Sequence, residues 1–489
     1  MNDISTAFMT KQKTNQQADP CRWFSLILIL LPTLLISLNN YMMQVALPIM
    51  QNSLHASFSE AQLIFSGYSL GLAVALILGG KLGDIYGRKR ILFYGVLGFT
   101  LMGLLGGVVS HPTLLIVIRT IQGLSAAMIQ PQVLSIIQSS FLPREKGLVF
   151  AIYGAVIGIG FTMGLILGGF LVDWNPLGLG WRIVFLFNVP FGLLVLLGLP
   201  IVPESRGDAM QSIDWAGTLL LMLGLFLLIY PLTVGQMQGW PSWTWGCVLL
   251  SIMILFAFIA VQIKKRKTHR APLIDLSIFR SGSFNVGIIT EITIYLSMFT
   301  FFFVLNYYLQ SGLHYNIESA SLVFMPLGSG FFLTSLLSSR MVKRWGSVVL
   351  KTGALIMGLC NFLLIGSLHV DAVHLFHIQN ILILLVYGLG LGMATTPLAN
   401  IVLSVVPVKS AGTGSGLFTT FMYLANSLGV ALISILFSFS LRHTLLEAGS
   451  TDYIRAFSTS TAVSGVLALV AFVCLCFLKE HQERGSHRI

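Results

Sequence analysis

Gly80-Lys81-Leu82-Gly83-Asp84-Ile85-Tyr86-Gly87-Arg88-Lys89-Arg90 joins two long apolar segments. Glycines at 83 and 87 give the backbone room for a tight turn, and the cations Lys81, Arg88, Lys89 and Arg90 hold that turn on the cytoplasmic side. Asp84 is the single acid of the stretch and is placed to pair with an arginine or to cap a helix. The stretch lacks Walker spacing and a following strand, so it does not read as a phosphate cradle.

The segments on either side of this turn are two of fourteen. Apolar runs of about 20 residues, enough to cross a bilayer, lie near 24–48, 60–80, 91–110, 113–138, 148–172, 182–203, 215–236, 243–263, 283–310, 319–338, 350–369, 376–403, 411–438 and 459–478. The composition agrees: 55% of residues are hydrophobic and 9% are charged, where a soluble domain carries about 25% charged residues. The formal charge of +11 does not point to nucleic acid, because its placement follows topology. With both termini inside, only Arg182, Arg442 and Arg455 of the 28 lysines and arginines fall outside, and Arg119 lies within a span. The other 24 face the cytoplasm, as the positive-inside rule requires. The expectation is a multi-pass inner-membrane protein with two cytoplasmic termini and no cleaved leader.

Short outer and basic inner connections divide the spans into six, two and six. The expected units are a tail (1–22), a first bundle (23–203), a linker with two extra helices (204–282), a second bundle (283–478) and a tail (479–489). An internal echo supports the division. Arg340-Met341-Val342-Lys343-Arg344-Trp345-Gly346 follows the tenth span as Lys81 to Gly87 follows the second, with an aromatic-glycine pair at the same offset. Parallel six-helix repeats with a site at their interface are a transporter architecture.

The stretch at 80–90 resembles the signature connection between the second and third helices of major facilitator superfamily transporters, and further strings extend the likeness. Val45-Ala46-Leu47-Pro48 closes the first helix, and Arg119, Gln122 and Gly123 match the second motif of the family. Trp181-Arg182-Ile183-Val184-Phe185 with Asn188-Val189-Pro190-Phe191-Gly192 leads the sixth helix, and Asp214-Trp215-Ala216-Gly217 opens the seventh. Arg270 to Asp275 and Ala411 to Leu417 complete the series. The chain is similar to fourteen-span members of the drug:proton antiporter-2 type. The resemblance implies an all-α major facilitator fold, alternating access, and proton-coupled export of hydrophobic or amphipathic small molecules. It also implies that Gly80, Gly83, Asp84, Gly87, Arg88, Lys89 and Arg90 form a conformational latch that docks against the other half.

Three positions depart from the family pattern. Asn39 stands where most members have a first-helix aspartate, Leu165 where the fifth-helix motif has proline, and Lys343 where an acid would echo Asp84. A dedicated metabolite, siderophore or lipid carrier is the alternative these departures favour. A transporter-like sensor or partner subunit is the alternative of another class.

Chemistry inside the membrane falls to few residues. Glu291 is the one carboxylate well inside a span, ~12 Å along its helix at 1.5 Å per residue. It reads either as a proton or substrate site or as a structural acid bonded to Thr290 or Thr293. Arg119 reads either as a partner for Glu291 across the bundle interface or as a cation satisfied within its own half, with Gln122 and carbonyls. Asn39 and Asn40 are neutral candidates for the same cavity. Gly160, Gly164 and Gly168 recur every four residues, as helix packing alone requires, and Leu165 leaves that helix without a proline kink. Aromatic residues crowd the ninth helix, with Tyr307 and Tyr308 placed for an interfacial belt and the others for lipid or packed neighbours. His369, His374, His377 and Asp371 surround one outer connection without a thiol or second acid, so neither metal nor cofactor is expected. No catalytic constellation is present, which argues against an enzyme.

Overall fold

A computed structural model describes residues 22–202, 204, 214–268, 272–274, 276–370, 377–404, 411–440 and 450–478. Both chain tails, 1–21 and 479–489, and most of the linker 205–213 lie outside the described residues. Fourteen helices are long and apolar enough to span a bilayer. The first bundle comprises α1 (Arg22–Ser53), α2 (Phe58–Tyr86), α3 (Arg88–Val108), α4 (Pro112–Ser140), α5 (Pro143–Trp174) and α6, an interrupted span over Gly180–Ile201. The inserted pair is α7 (Trp215–Val234) and α8 (Ser242–Lys267). The second bundle comprises α9 (Gly282–Tyr307), α10 (Ile317–Trp345), α11 (Val348–Val370), α12 (the span Ile378–Leu403), α13 (Ala411–Ser440) and α14 (Ser450–Cys476). Helix α14 begins nine residues before the expected apolar run, so Arg455 lies in its first turns.

Only helices satisfy every backbone group within one segment, so lipid leaves the chain little other choice. Hydrocarbon does not drive helices together, and close packing must do so. The glycines of α5 supply such a seam: a Cβ at Gly160, Gly164 or Gly168 would come within 2.4, 2.8 and 2.8 Å of Ser37, Tyr41 and Met42 of α1. With Leu165 buried in its middle, α5 runs unbroken over 32 residues.

The stretch at 80–90 is not a loop. Helix α2 continues through Tyr86 and α3 begins at Arg88, so Gly87 alone makes the turn, at φ 103°. Gly83 serves close approach, because a Cβ there would overlap Gln132 of α4. The tenth helix repeats this design. Helices α2 and α10 are each 29 residues long, each is capped by a side chain (Ser57 and Asn316), and each ends on an aromatic residue before a positive-φ glycine, Gly87 or Gly346. The sequence echo thus marks two equivalent helices.

Across the interface α5 packs on α10 and α2 packs on α13. Helix α7 touches α2 and α13 as well as α8. A buried knot anchors the inserted pair. The Asp214 carboxylate caps α7 by accepting from the Gly217 amide (2.7 Å), and it also accepts from Gln262 Nε2 (2.9 Å) and Lys265 Nζ of α8. Gln262 Oε1 in turn accepts from the amides of Leu273 and Ile274, just before α9. Burial pushes the Asp214 carboxyl up, but these donors outweigh it and hold the group below its ordinary value.

Candidate functional site

Arg119 sits one third of the way along α4 and is wholly buried. Its Nη1 donates to Asn39 Oδ1 of α1 (2.6 Å) and to Gln122 Oε1 (2.7 Å), and its Nε donates to the Ile64 carbonyl of α2 (3.2 Å). The guanidinium lies 4.3 Å from the Tyr68 ring centroid and 5.9 Å from that of Phe185. Every one of these groups belongs to the first bundle. The arginine is therefore satisfied within its own half here, and no Arg119–Glu291 pair is formed. Asn39 supplies an acceptor oxygen but no negative charge. Nη2 of Arg119, Nδ2 of Asn39 and Oδ1 of Asn40 have no hydrogen-bond partner.

Glu291 of α9 is equally buried, with the opposite bonding state. Neither carboxylate oxygen has a partner. The neighbouring hydroxyls of Thr290 and Thr293 do not bond it here and donate to the backbone instead. Thr290 donates to the Val286 carbonyl (2.8 Å), and Thr293 to those of Ile289 and Thr290 (2.9 and 3.0 Å). A carboxylate without donors is far cheaper to bury neutral than charged.

Sequence reasoning missed a set of packed tyrosines. Tyr68 (α2) and Tyr423 (α13) are buried in one core cluster, with Tyr153 (α5) packed against it. Tyr41 (α1) meets the edge of Phe161, and Tyr295 (α9) stacks on Phe299. Gln130 Nε2 of α4 donates to Tyr423 Oη (2.7 Å), a bond between the two bundles. Phe161 adds an aromatic wall, 4.6 Å from Phe331 and 5.6 Å from Phe302. Tyrosines scattered singly over distant helices leave no periodic trace, and no motif announces them.

At the end away from the 80–90 turn the bundles are stitched together. Asn306 Nδ2 donates to the Gln44 carbonyl (2.6 Å), Gln310 Nε2 to the Val45 carbonyl (2.9 Å) and Tyr307 Oη to Gln51 Oε1 (2.7 Å). Phe58 meets the edges of Tyr307 and Phe303. Tyr307 and Tyr308 are 2% and 1% exposed. They are packed side chains and not an interfacial belt, and Phe299, Phe301, Phe302 and Phe303 are likewise buried in protein.

At the 80–90 end, Asp84 pairs with Arg88 one turn later (3.0 Å), and Arg88 also reaches the Ser135 carbonyl (3.3 Å). Lys89 donates from its amide to Glu204 (3.1 Å) and from Nζ to the Pro200 carbonyl (2.9 Å). Arg90 is exposed, and Gly80 lies against Pro131 of α4. These contacts of the turn stay within the first half and its trailing segment. Of the histidine group, Asp371, His374 and the His369 side chain lie outside the described residues. Among the described residues no three His, Cys, Asp or Glu side chains gather as a metal site would require.

Comparison with known proteins fits this architecture. The peptide transporter POT superposes with a TM-score of 0.64 over 91% of this chain and 93% of its own, at 16% identity. The xylose transporter XylE of E. coli, in a partially occluded inward open conformation, gives 0.63 over 93% and 99%, also at 16% identity. A probable actinorhodin transporter of Streptomyces coelicolor is 32% identical over 474 residues, 96% of this chain and 82% of the relative. The puromycin resistance protein pur8 of Streptomyces alboniger is 32% identical over 477 residues, 96% and 92% of the two chains. The model of the Major Facilitator Superfamily matches residues 29–430. With fourteen spans, paired six-helix bundles and a match of this extent, the chain belongs to the Major Facilitator Superfamily of membrane transporters.

Proposed function

We propose that this transporter exports hydrophobic or amphipathic small molecules across the bacterial inner membrane in exchange for protons. Glu291 is the proton carrier. The observation that carries this reading is a wholly buried carboxylate, free of hydrogen bonds, on a helix at the bundle interface. Such a group takes up and releases a proton without first breaking a structural bond. The names of the relatives, an actinorhodin transporter and a puromycin resistance protein, support export as the direction.

In this reading 23–203 and 283–478 are the two bodies that rock about the interface between them. The 80–90 end faces the cytoplasm with both termini. The stitched end is then the outer side, and the Asp84–Arg88 pair belongs to the inner one. Arg119 and Gln122 set the charge of the first-half wall, with Asn39 and Asn40 as neutral hydrogen-bonders.

The test is accumulation of a panel of hydrophobic compounds of all charge types in efflux-deficient cells, with and without a protonophore. Wild type should lower accumulation of some members, and both the protonophore and Glu291→Gln should abolish the difference. Export that survives Glu291→Gln would refute the carrier role. A panel indistinguishable from empty cells would refute drug export and favour a dedicated metabolite carrier.

A further inference from the structure

Pro48 lies inside α1, near its end. Proline has no N–H to give, so the Gln44 carbonyl one turn earlier lacks a donor from its own helix. Within a membrane such an acceptor needs another partner. The second bundle supplies it: Asn306 Nδ2 of α9 donates to the Gln44 carbonyl at 2.6 Å. Gln310 steadies this contact from the π-helical turn Tyr308–Gly312 that continues α9. Its Nε2 donates to Asn306 Oδ1 (2.7 Å), which leaves Asn306 Nδ2 turned to α1, and to the next carbonyl of α1, that of Val45 (2.9 Å). Asn306 is 1% exposed, so its bonds are shielded from water.

The side chain of Gln44 is in the opposite condition. It is just as buried, yet among the described residues neither its Oε1 nor its Nε2 has a hydrogen-bond partner. A buried amide left unpaired costs free energy, which water would return if the bundles parted. A cavity of about 620 Å³ lies between the bundles at this end and extends to Pro48 and Gln310. Asn52 and Asp173 of the first bundle and Ser311 and Tyr453 of the second also line it.

We propose that Gln44 is the switch of the stitched end, with its two halves opposed. Its carbonyl, uncovered by Pro48, holds Asn306 and favours closure, whereas its side-chain amide favours opening. Asn306 and Gln310 act as positioning residues that tie α9 to α1 in the closed arrangement. This role depends on alternating access alone, and on neither the cargo nor the proton carrier.

Distances between the bundles, measured without cargo or a proton gradient, test this independently of export. Thr113→Cys at the start of α4 and Glu318→Cys at the start of α10 are exposed at the stitched end and carry spin labels. The full chain, with its native cysteines replaced by alanine, is purified into lipid nanodiscs. Double electron–electron resonance then reads the ratio of long to short distances. Asn306→Leu should raise that ratio about fivefold, the worth of one hydrogen bond. Pro48→Ala gives the Gln44 carbonyl a donor in its own helix. It should raise the ratio too, but add little on top of Asn306→Leu. Gln44→Leu should lower the ratio by about fivefold or more, because the unpaired amide is gone. A distribution that Asn306→Leu leaves unchanged, whether mixed, wholly short or wholly long, overturns the proposal. So do additive effects of Pro48→Ala and Asn306→Leu, and so does a shift by Gln44→Leu in the same sense as Asn306→Leu. If Asn306→Leu does not fold, Gln310→Leu takes its place, with the same expected rise and the same refuting result.

Discussion

The two bundles each bury a charge-bearing side chain inside a span, and they treat it in opposite ways. In the first bundle Arg119 holds Asn39, Gln122 and the Ile64 carbonyl and leans on the Tyr68 ring. In the second, Glu291 holds nothing. One is built into its surroundings and the other is merely enclosed by them. Removing the first therefore injures the fold, whereas altering the second changes chemistry and leaves the fold alone.

Glu291→Gln gives the sharpest contrast. Proton-driven export should fall to the level of empty cells, since the proton carrier is gone. Thermal stability in detergent should stay within about 0.5 kcal/mol, since no hydrogen bond is lost. A large loss of stability would show that the carboxylate is structural after all. Arg119→Met should do the reverse in kind, costing about 2–5 kcal/mol as several buried acceptors lose their donor. A thermal shift would report it, and an unchanged melting temperature would erase the distinction between the bundles.

A smaller effect separates the inserted pair from both. Asp214→Ala should cost about 1–3 kcal/mol, because α7 loses its cap while the α8 donors lose their acceptor. The Asp214 carboxyl is held below its ordinary value, so its contribution is present at neutral pH. It fades as pH falls through and below the usual carboxylate range. Melting curves of wild type on acidification should show this slope and those of Asp214→Asn should not. Thr290→Val should do least, leaving transport within about twofold, because its hydroxyl serves only the Val286 carbonyl. A strong transport defect would mean that Glu291 has a partner in another state.

What the sequence made legible follows from what lipid penalises. A span must be long and apolar, so all fourteen could be counted, and a charge inside one is costly, so Arg119 and Glu291 stood out. The bonding of either charge was not legible, since partners come from helices distant in sequence: Asn39 lies 80 positions from Arg119. Tyrosine carries two meanings in membranes, and position along a helix does not separate them. Tyr307 near a helix end looked like a belt residue and is a buried bond to Gln51. Glycine is ambiguous too. Gly83 looked like a turn residue, but α2 runs straight through it, and of the glycines at 80, 83 and 87 it is Gly87 that takes the backbone conformation glycine favours.

Helix α7 lies against α2 of one bundle and α13 of the other, and Asp214 fastens it to α8 and to the approach to α9. The chain that connects the bundles is thus no slack tether. It is a partition shared by two rooms, and neither room can shift without dragging the partition along.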